Sequence, residues 1–266
     1  MPLKYFQIDA FAGEIFRGNP AGVVPLDSWP SDDVLQSMAS EHNLSETAFF
    51  VPEEGGAADF RLRWMTPRSE VDLCGHATLA AAHVLFRHLG WSGTDVRFSS
   101  RSGLLTVRRD GEKYELDFPA LPLEPSEVSD AIVNSLGTRP REVFAGMDLV
   151  CVFANEDEVR ALRPDFAALG LIDGVRAVAA TARGTDYDFV SRLFAPAVGI
   201  DEDPVTGSLH CMLAPLWSER LGRDRLRAWQ ASDRGGEIVC TVVDGRVLLS
   251  GGAATYLEGT ITVDLG

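Results

Sequence analysis

Short runs in which apolar and polar residues alternate fill much of the chain. At two places that alternation gives way to a run that is apolar on every side. The first spans residues 75–89 and carries Ala77, Leu79, Ala80, Ala81, Ala82, Val84, Leu85 and Phe86. The second begins at Gly207 and continues to Leu221. A helix without a broad polar face belongs inside a shell of other elements, so each run predicts a buried helix. Period-two segments follow both, at 104–107 and 114–118 and again at 238–243 and 246–249. Each pair is joined through Asp-Gly, at Asp110-Gly111 and Asp244-Gly245, the strongest short hairpin signal. A surface helix is expected over 31–42, with Ser31 as its cap and acids in its first turn.

The two buried runs belong to a longer internal repeat. Trp64-Met65-Thr66-Pro67 leads to Leu73-Cys74-Gly75-His76-Ala77-Thr78, then the first run and Leu89-Gly90. Leu193-Phe194-Ala195-Pro196 leads to Val205-Thr206-Gly207-Ser208-Leu209-His210, then the second run and Leu221-Gly222. The spacing from Gly75 to Gly90 equals that from Gly207 to Gly222, and only the preceding loop differs in length. Gly90 and Gly222 are placed as the glycines that close the two helices in a left-handed conformation. The Pro-rich stretch 119–125 divides the chain into an N-terminal half, 1–118, and a C-terminal half, 119–266. Related halves could bring both helix starts to one cleft, where backbone N–H groups and glycine's lack of a side chain suit a carboxylate.

Charge narrows the functional classes. With 39 acidic against 24 basic residues the chain lacks the basic face that nucleic acid requires. The same sign disfavours anionic membrane surfaces. No apolar stretch reaches spanning length, and Asp9 interrupts the N-terminal run before a secretory segment could form, so a cytoplasmic location is the expectation. Cys74, Cys151, Cys211 and Cys240 are scattered without C-x-x-C spacing, which predicts neither a zinc site nor a disulfide framework; Cys151 and Cys240 read as reduced core thiols. His76, His83 and His88 lack metal-ligand spacing on one helix face, and His42 and His210 add no metal motif. Phosphate-binding glycine loops are absent, so no nucleotide is expected.

Four motifs, in order along the chain, carry a resemblance. Asn19-Pro20-Ala21-Gly22-Val23, Asn43-Leu44-Ser45-Glu46-Thr47-Ala48-Phe49, Cys74-Gly75-His76-Ala77-Thr78 and 199–208, Gly-Ile-Asp-Glu-Asp-Pro-Val-Thr-Gly-Ser, resemble the PhzF-like phenazine-biosynthesis isomerases, which share the diaminopimelate epimerase fold. The resemblance implies an α+β protein of two pseudo-symmetric half-domains, each an antiparallel barrel-like sheet around a central helix, paired as a homodimer. It also implies a cofactor-independent isomerase that shifts a proton, and with it a double bond, within a small carboxylate substrate.

By the same resemblance Glu46 is the general acid/base, a role that asks burial to raise its pKa. His76 and Asp203 support catalysis, while Asn19, Gly75, Gly207 and Ser208 contact substrate. Read as residues alone, a lone Glu is a surface group, His76 a helix-start residue, Asn19 a turn residue, and Asp203 and Ser208 turn and cap residues. Racemases of the superfamily place a cysteine on each face of the stereocentre. Cys74 stands at the first of these positions, and the repeat puts Thr206 at the second, where a hydroxyl cannot replace a thiolate. Two other functions remain open at this level: a racemase or epimerase using Cys74 and Glu46, and a binder of small acids without turnover.

Overall fold

A computed structural model describes residues 2–263. The chain divides into two compact units, one built from residues up to Asp117 and from Ser250 onward, the other from Phe118–Leu249. The passage between units therefore falls between Asp117 and Phe118, beside the Pro-rich stretch. The expected C-terminal half ran on to 266, but residues 253–261 pair with Leu3–Ala10 in the first unit; residues 264–266 lie outside the described residues.

In the first unit the sheet closes into an eight-strand barrel. Leu3–Ala10 pairs antiparallel with Asn19–Pro25, which runs parallel to Glu46–Pro52, which pairs antiparallel with Phe60–Met65. Phe60–Met65 runs parallel to Asp95–Ser100, and Gly103–Asp110 and Lys113–Pro119 follow as an antiparallel hairpin. Arg246–Ile261 pairs with both Lys113–Pro119 and Leu3–Ala10 and closes the ring. The two parallel pairings have one cause each: parallel neighbours need a long crossover. Helix Asp32–His42 lies in one crossover, and helix Gly75–Arg87 lies in the other.

The second helix is the axis of the unit. Every residue from His76 to Phe86 is buried, as a run without a polar face requires. Strand alternation separates two environments. Val24, Phe49, Val51 and Met65 pack outward with Leu35, Met38 and Ala39 of Asp32–His42. Their neighbours Val23, Ala48 and Trp64, each 0–1 % exposed, face the other way.

Phe118–Leu249 repeats this order. Leu149–Val152 and Val178–Arg183 are parallel, Phe189–Ala195 is antiparallel to the latter, and Arg225–Gln230 is parallel to Phe189–Ala195. The crossovers again contain helices, two short ones in the first and Gly207–Leu221 in the second. Leu209 to Ala214 and Trp217 are buried, and Trp217 donates its indole N–H to Thr181 Oγ1 at 3.0 Å. The duplication thus extends further than the sequence motifs, to strand order and to the direction of these pairings.

Local chemistry explains where the sequence reading holds and where it shifts. Both Asp-Gly hairpins form. Asp244-Gly245 is the two-residue loop, both residues having positive φ, whereas in the first hairpin Asp110 pairs with Lys113 and the loop is Gly111-Glu112. Ser31 occupies the cap position of Asp32–His42, but its side chain makes no capping bond; Asn43 in the left-handed region closes the other end. Gly222 closes its helix at φ 66° as expected. The first central helix ends at Arg87, before Gly90, because its last turn widens: Leu89 N–H bonds Val84 O, five residues back, and Trp91 N–H bonds Leu85 O beyond Gly90. All four cysteines are buried and none forms a disulfide among the described residues, with Cys151 and Cys240 in strands as expected. No helix among the described residues is long and apolar enough to cross a membrane.

The central helix sets the stability of the first unit. Leu79→Ala, at a fully buried position, should lower unfolding free energy by about 2–5 kcal/mol. Leu104→Ala, at a side chain 54 % exposed, should change it by less than about 0.5 kcal/mol. Denaturant midpoints at constant m-value measure both.

Candidate active site

The first unit gathers Asn19, Glu46, Cys74, Gly75 and His76. Glu46 opens its strand two residues before Ala48, so alternation puts its side chain on the face turned from the outer helix. It is registered with Ala21, two residues after the buried Asn19. Gly75 is the first residue of the central helix, with Cys74 in the cap position and His76 one step in. Neither strand nor helix has freedom to move these groups, since both belong to the packed barrel.

His76 joins the cluster with both ring nitrogens. Its Nε2 lies 3.3 Å from Glu46 Oε2, and its Nδ1 lies 3.4 Å from Asn19 Nδ2 and 3.5 Å from Cys74 Sγ. Asn19 and Cys74 both approach Nδ1, and the neutral imidazole carries a single proton on one of its two ring nitrogens. The contact with Glu46 is not a hydrogen bond, which leaves Nε2 a buried polar atom without one. Trp64 Nε1, on a side chain 1 % exposed, is another. Buried polar atoms of this kind are rare, and a strained contact, a catalytic role or a bound water or ion each accounts for them.

Electrostatics favour an uncharged imidazole. A carboxylate at 3.3 Å would stabilise the imidazolium, but burial opposes any charge there and pushes the His76 pKa down to about 3. The Glu46 side chain is 16 % exposed. At neutral pH the pair is therefore a carboxyl group beside a neutral imidazole, a combination that can hand a proton to and from a bound carbon acid. Glu46, Cys74 and His76 also offer ligand atoms within 4.8 Å of one another.

In the second unit Asp203 ends the strand Ile200–Asp203, and Gly207 begins the helix with Thr206 as its cap residue. The Thr206 hydroxyl donates to the Asp203 carboxylate in a short contact. Gln230, fully buried, accepts from Thr206 N at 2.8 Å and donates to Asp203 O at 2.8 Å and Thr206 Oγ1 at 3.2 Å. Ser232 Oγ donates to Pro204 O at 2.8 Å. The turn carrying Asp203 is thereby held at both ends. Ser208 is half-buried in the first helical turn. A cavity of about 300 Å³ in the same unit, lined by Arg163, Phe166, Arg192, Glu202 and Asp233 among others, is dominated by the bidentate Arg192–Glu202 pair.

The repeat holds at atomic detail. Cys74 (φ −145°, ψ 108°) and Thr206 (φ −119°, ψ 110°) are equivalent cap residues, and neither side chain caps its helix. Four residues on, Thr78 Oγ1 donates to Cys74 O at 2.6 Å, and His210 Nδ1 donates to Thr206 O at 2.7 Å. Thr78 and His210 were missed as supports of the two helix starts, although the repeat offset pairs them. Gln230 was missed as well; nothing in its local sequence marks it, since its three bonds reach back 24 to 27 residues.

The chain as a whole is similar to known proteins. Residues 8–259 match the family model described as phenazine biosynthesis-like protein. An uncharacterized isomerase of Pseudomonas aeruginosa is 51 % identical over 98 % of this chain and 99 % of its own length. A phenazine biosynthesis-like domain-containing protein of Homo sapiens is 40 % identical over 98 % of this chain and 100 % of its own. The crystal structure of a PhzF family protein from Enterococcus faecalis superimposes with a TM-score of 0.96 at 43 % identity, covering 99 % of this chain and 100 % of that one.

The buried histidines make stability depend on pH. The pKa of His76 falls to about 3 and that of His210 to about 4, both through burial. Each imidazole stays neutral in the folded protein where the unfolded chain would protonate it, at an ordinary pKa of about 6.5. Stability should therefore be unaffected by them above pH 6.5. It should fall by about 1.4 kcal/mol per pH unit for each histidine as pH drops toward 4. Denaturant titrations across this window should show a shallower slope for His210→Asn, by the equivalent of one proton.

Proposed function

The chain belongs to the phenazine biosynthesis-like family, and from that membership we propose an isomerase that moves a proton within a small carboxylate substrate, using Glu46 as its acid/base and no cofactor. The observation that carries the reading is the contact of Glu46 with the buried, neutral His76. In this reading Glu46 takes a proton from one carbon of the substrate and returns it to another, and the double bond shifts between them. His76 Nε2–H and the N–H groups at the start of helix Gly75–Arg87 stabilise negative charge on a substrate oxygen as it develops. Asn19 holds the imidazole at its other nitrogen. Asp203 takes a supporting catalytic role, and Gly207 and Ser208 contribute substrate contacts. A homodimer and a cytoplasmic location complete the proposal.

Geometry argues against a two-base racemase built from Glu46 and Cys74. Two bases on opposite faces of one carbon each stand about 3–3.5 Å from it, hence about 6–7 Å apart. The reactive atoms of Glu46 and Cys74 lie within 4.8 Å of each other. They share one side of any substrate. Thr206, the repeat partner of Cys74, has its hydroxyl committed to Asp203.

Cyclic unsaturated amino acids of the dihydro-hydroxyanthranilate type, incubated with the protein in D₂O, should gain deuterium at one carbon and show a displaced double bond by NMR. Glu46→Gln keeps the side-chain volume and should reduce that rate about 10²–10⁴-fold. Deuterium incorporation by a folded Glu46→Gln variant at the wild-type rate would overturn the assignment.

A further inference from the structure

The same three side chains support a chemistry that proton transfer does not require. Two ligands held about 2.0–2.2 Å from a tetrahedral ion stand roughly 3.4 Å apart, and a sulfur–nitrogen pair about 3.6 Å apart. Glu46 Oε2 and His76 Nε2 are separated by 3.3 Å, the spacing of two ligands on one ion, whereas the 3.5 Å contact of Cys74 Sγ is with the other ring nitrogen, Nδ1, which the same ion cannot also take. His76 Nε2 is buried and makes no hydrogen bond, although a carboxylate oxygen lies 3.3 Å away. A ring nitrogen so placed is spaced as a ligand would be. Carboxylate, thiol and imidazole, all three within 4.8 Å, form a mixed O, S, N set. Such a set selects borderline and soft cations over Mg²⁺ or Ca²⁺, which want oxygen throughout.

We propose that Glu46, Cys74 and His76 bind one divalent cation of the Zn²⁺ class. The ion takes a single nitrogen of His76, so the imidazole turns or Cys74 swings by one rotamer to complete the set. The fourth position stays open to water or to a small acid. Binding forms the sulfur–metal bond as the Cys74 S–H bond breaks, and that proton passes to solvent; His76 ligates through the lone pair of one ring nitrogen, its single ring proton residing on the other. An occupied site would hold the Glu46 carboxylate and stop its use as an acid/base. Zinc would then inhibit whatever turnover the pocket performs. The inference does not depend on the isomerase reading, because the ion alone is its probe.

The test uses the full chain, stripped with chelator and then titrated calorimetrically with Zn²⁺, with Mg²⁺ as the contrasting ion. One Zn²⁺ per chain is expected, no heat from Mg²⁺, and an apparent enthalpy that varies with buffer because a proton is released. Co²⁺ should produce a thiolate-to-metal absorption band. Cys74→Ser should abolish that band and weaken Zn²⁺ binding by more than the roughly 10–100-fold that losing an outer-shell partner costs. Glu46→Gln should weaken binding while keeping the band. Should Cys74→Ser fail to fold by circular dichroism, the wild-type band and Glu46→Gln decide. Absence of Zn²⁺ binding, or binding that neither substitution weakens, overturns the proposal. Loss of deuterium exchange in Glu46→Gln without any metal binding would leave the isomerase reading intact and remove only this one.

Discussion

Complete burial of a helix is the constraint from which the first unit follows. Helix Gly75–Arg87 presents no polar face from His76 to Phe86, so water must be excluded all round it. A closed ring of strands does this without leaving a sheet edge open. The ring can contain the helix only if the chain passes through its interior between two strands. That passage makes Phe60–Met65 and Asp95–Ser100 parallel neighbours. The same passage fixes where the helix begins. Its first residues, Cys74 to His76, are delivered beside the inner faces of Asn19–Pro25 and Glu46–Pro52, because a 13-residue helix packed on all sides can neither slide nor rotate.

Burial also chooses the chemistry. His76 sits where an imidazolium would lose its hydration, and the neighbouring Glu46 does not offset that loss. The imidazole remains neutral, with Asn19 and Cys74 against its other nitrogen. A charged histidine would form a fixed ion pair with Glu46 and remove its ability to exchange protons.

Much of this was legible in the chain because it rests on local pattern. The two apolar runs, the hairpins at 110–111 and 244–245 and the glycines at both helix starts all come from residues close in sequence. The motif around Glu46 needed the family resemblance, since nothing near a lone carboxyl distinguishes it from a surface group; the structure then added its register with Ala21. What escaped the sequence was non-local or subtle. Gln230 acts across two dozen residues. The return of Ser250 onward to the first unit depends on pairing with Leu3–Ala10, which no composition shift announces. Ser31 shows the opposite failure, a residue of the right type in the right position whose hydroxyl makes no capping bond.

The duplicated halves have kept backbone and exchanged side-chain chemistry. At equivalent cap positions one unit has a thiol and the other a hydroxyl; one step on, His76 corresponds to Ser208; four residues after the cap, Thr78 corresponds to His210. The cap carbonyl receives a side-chain bond in both, so that structural duty constrains the fourth position while leaving its identity free. The first and second positions carry no such duty. There the first unit has groups that can lose or accept protons, and the second has hydroxyls, one of them bound to Asp203. If both copies had retained cysteine, thiol chemistry would be equally available to each. Its replacement by Thr206 leaves the thiol and imidazole of the two helix starts to the unit that contains Glu46. The asymmetry between the two units is therefore a matter of a few side chains at the helix starts, laid on a backbone that changed little.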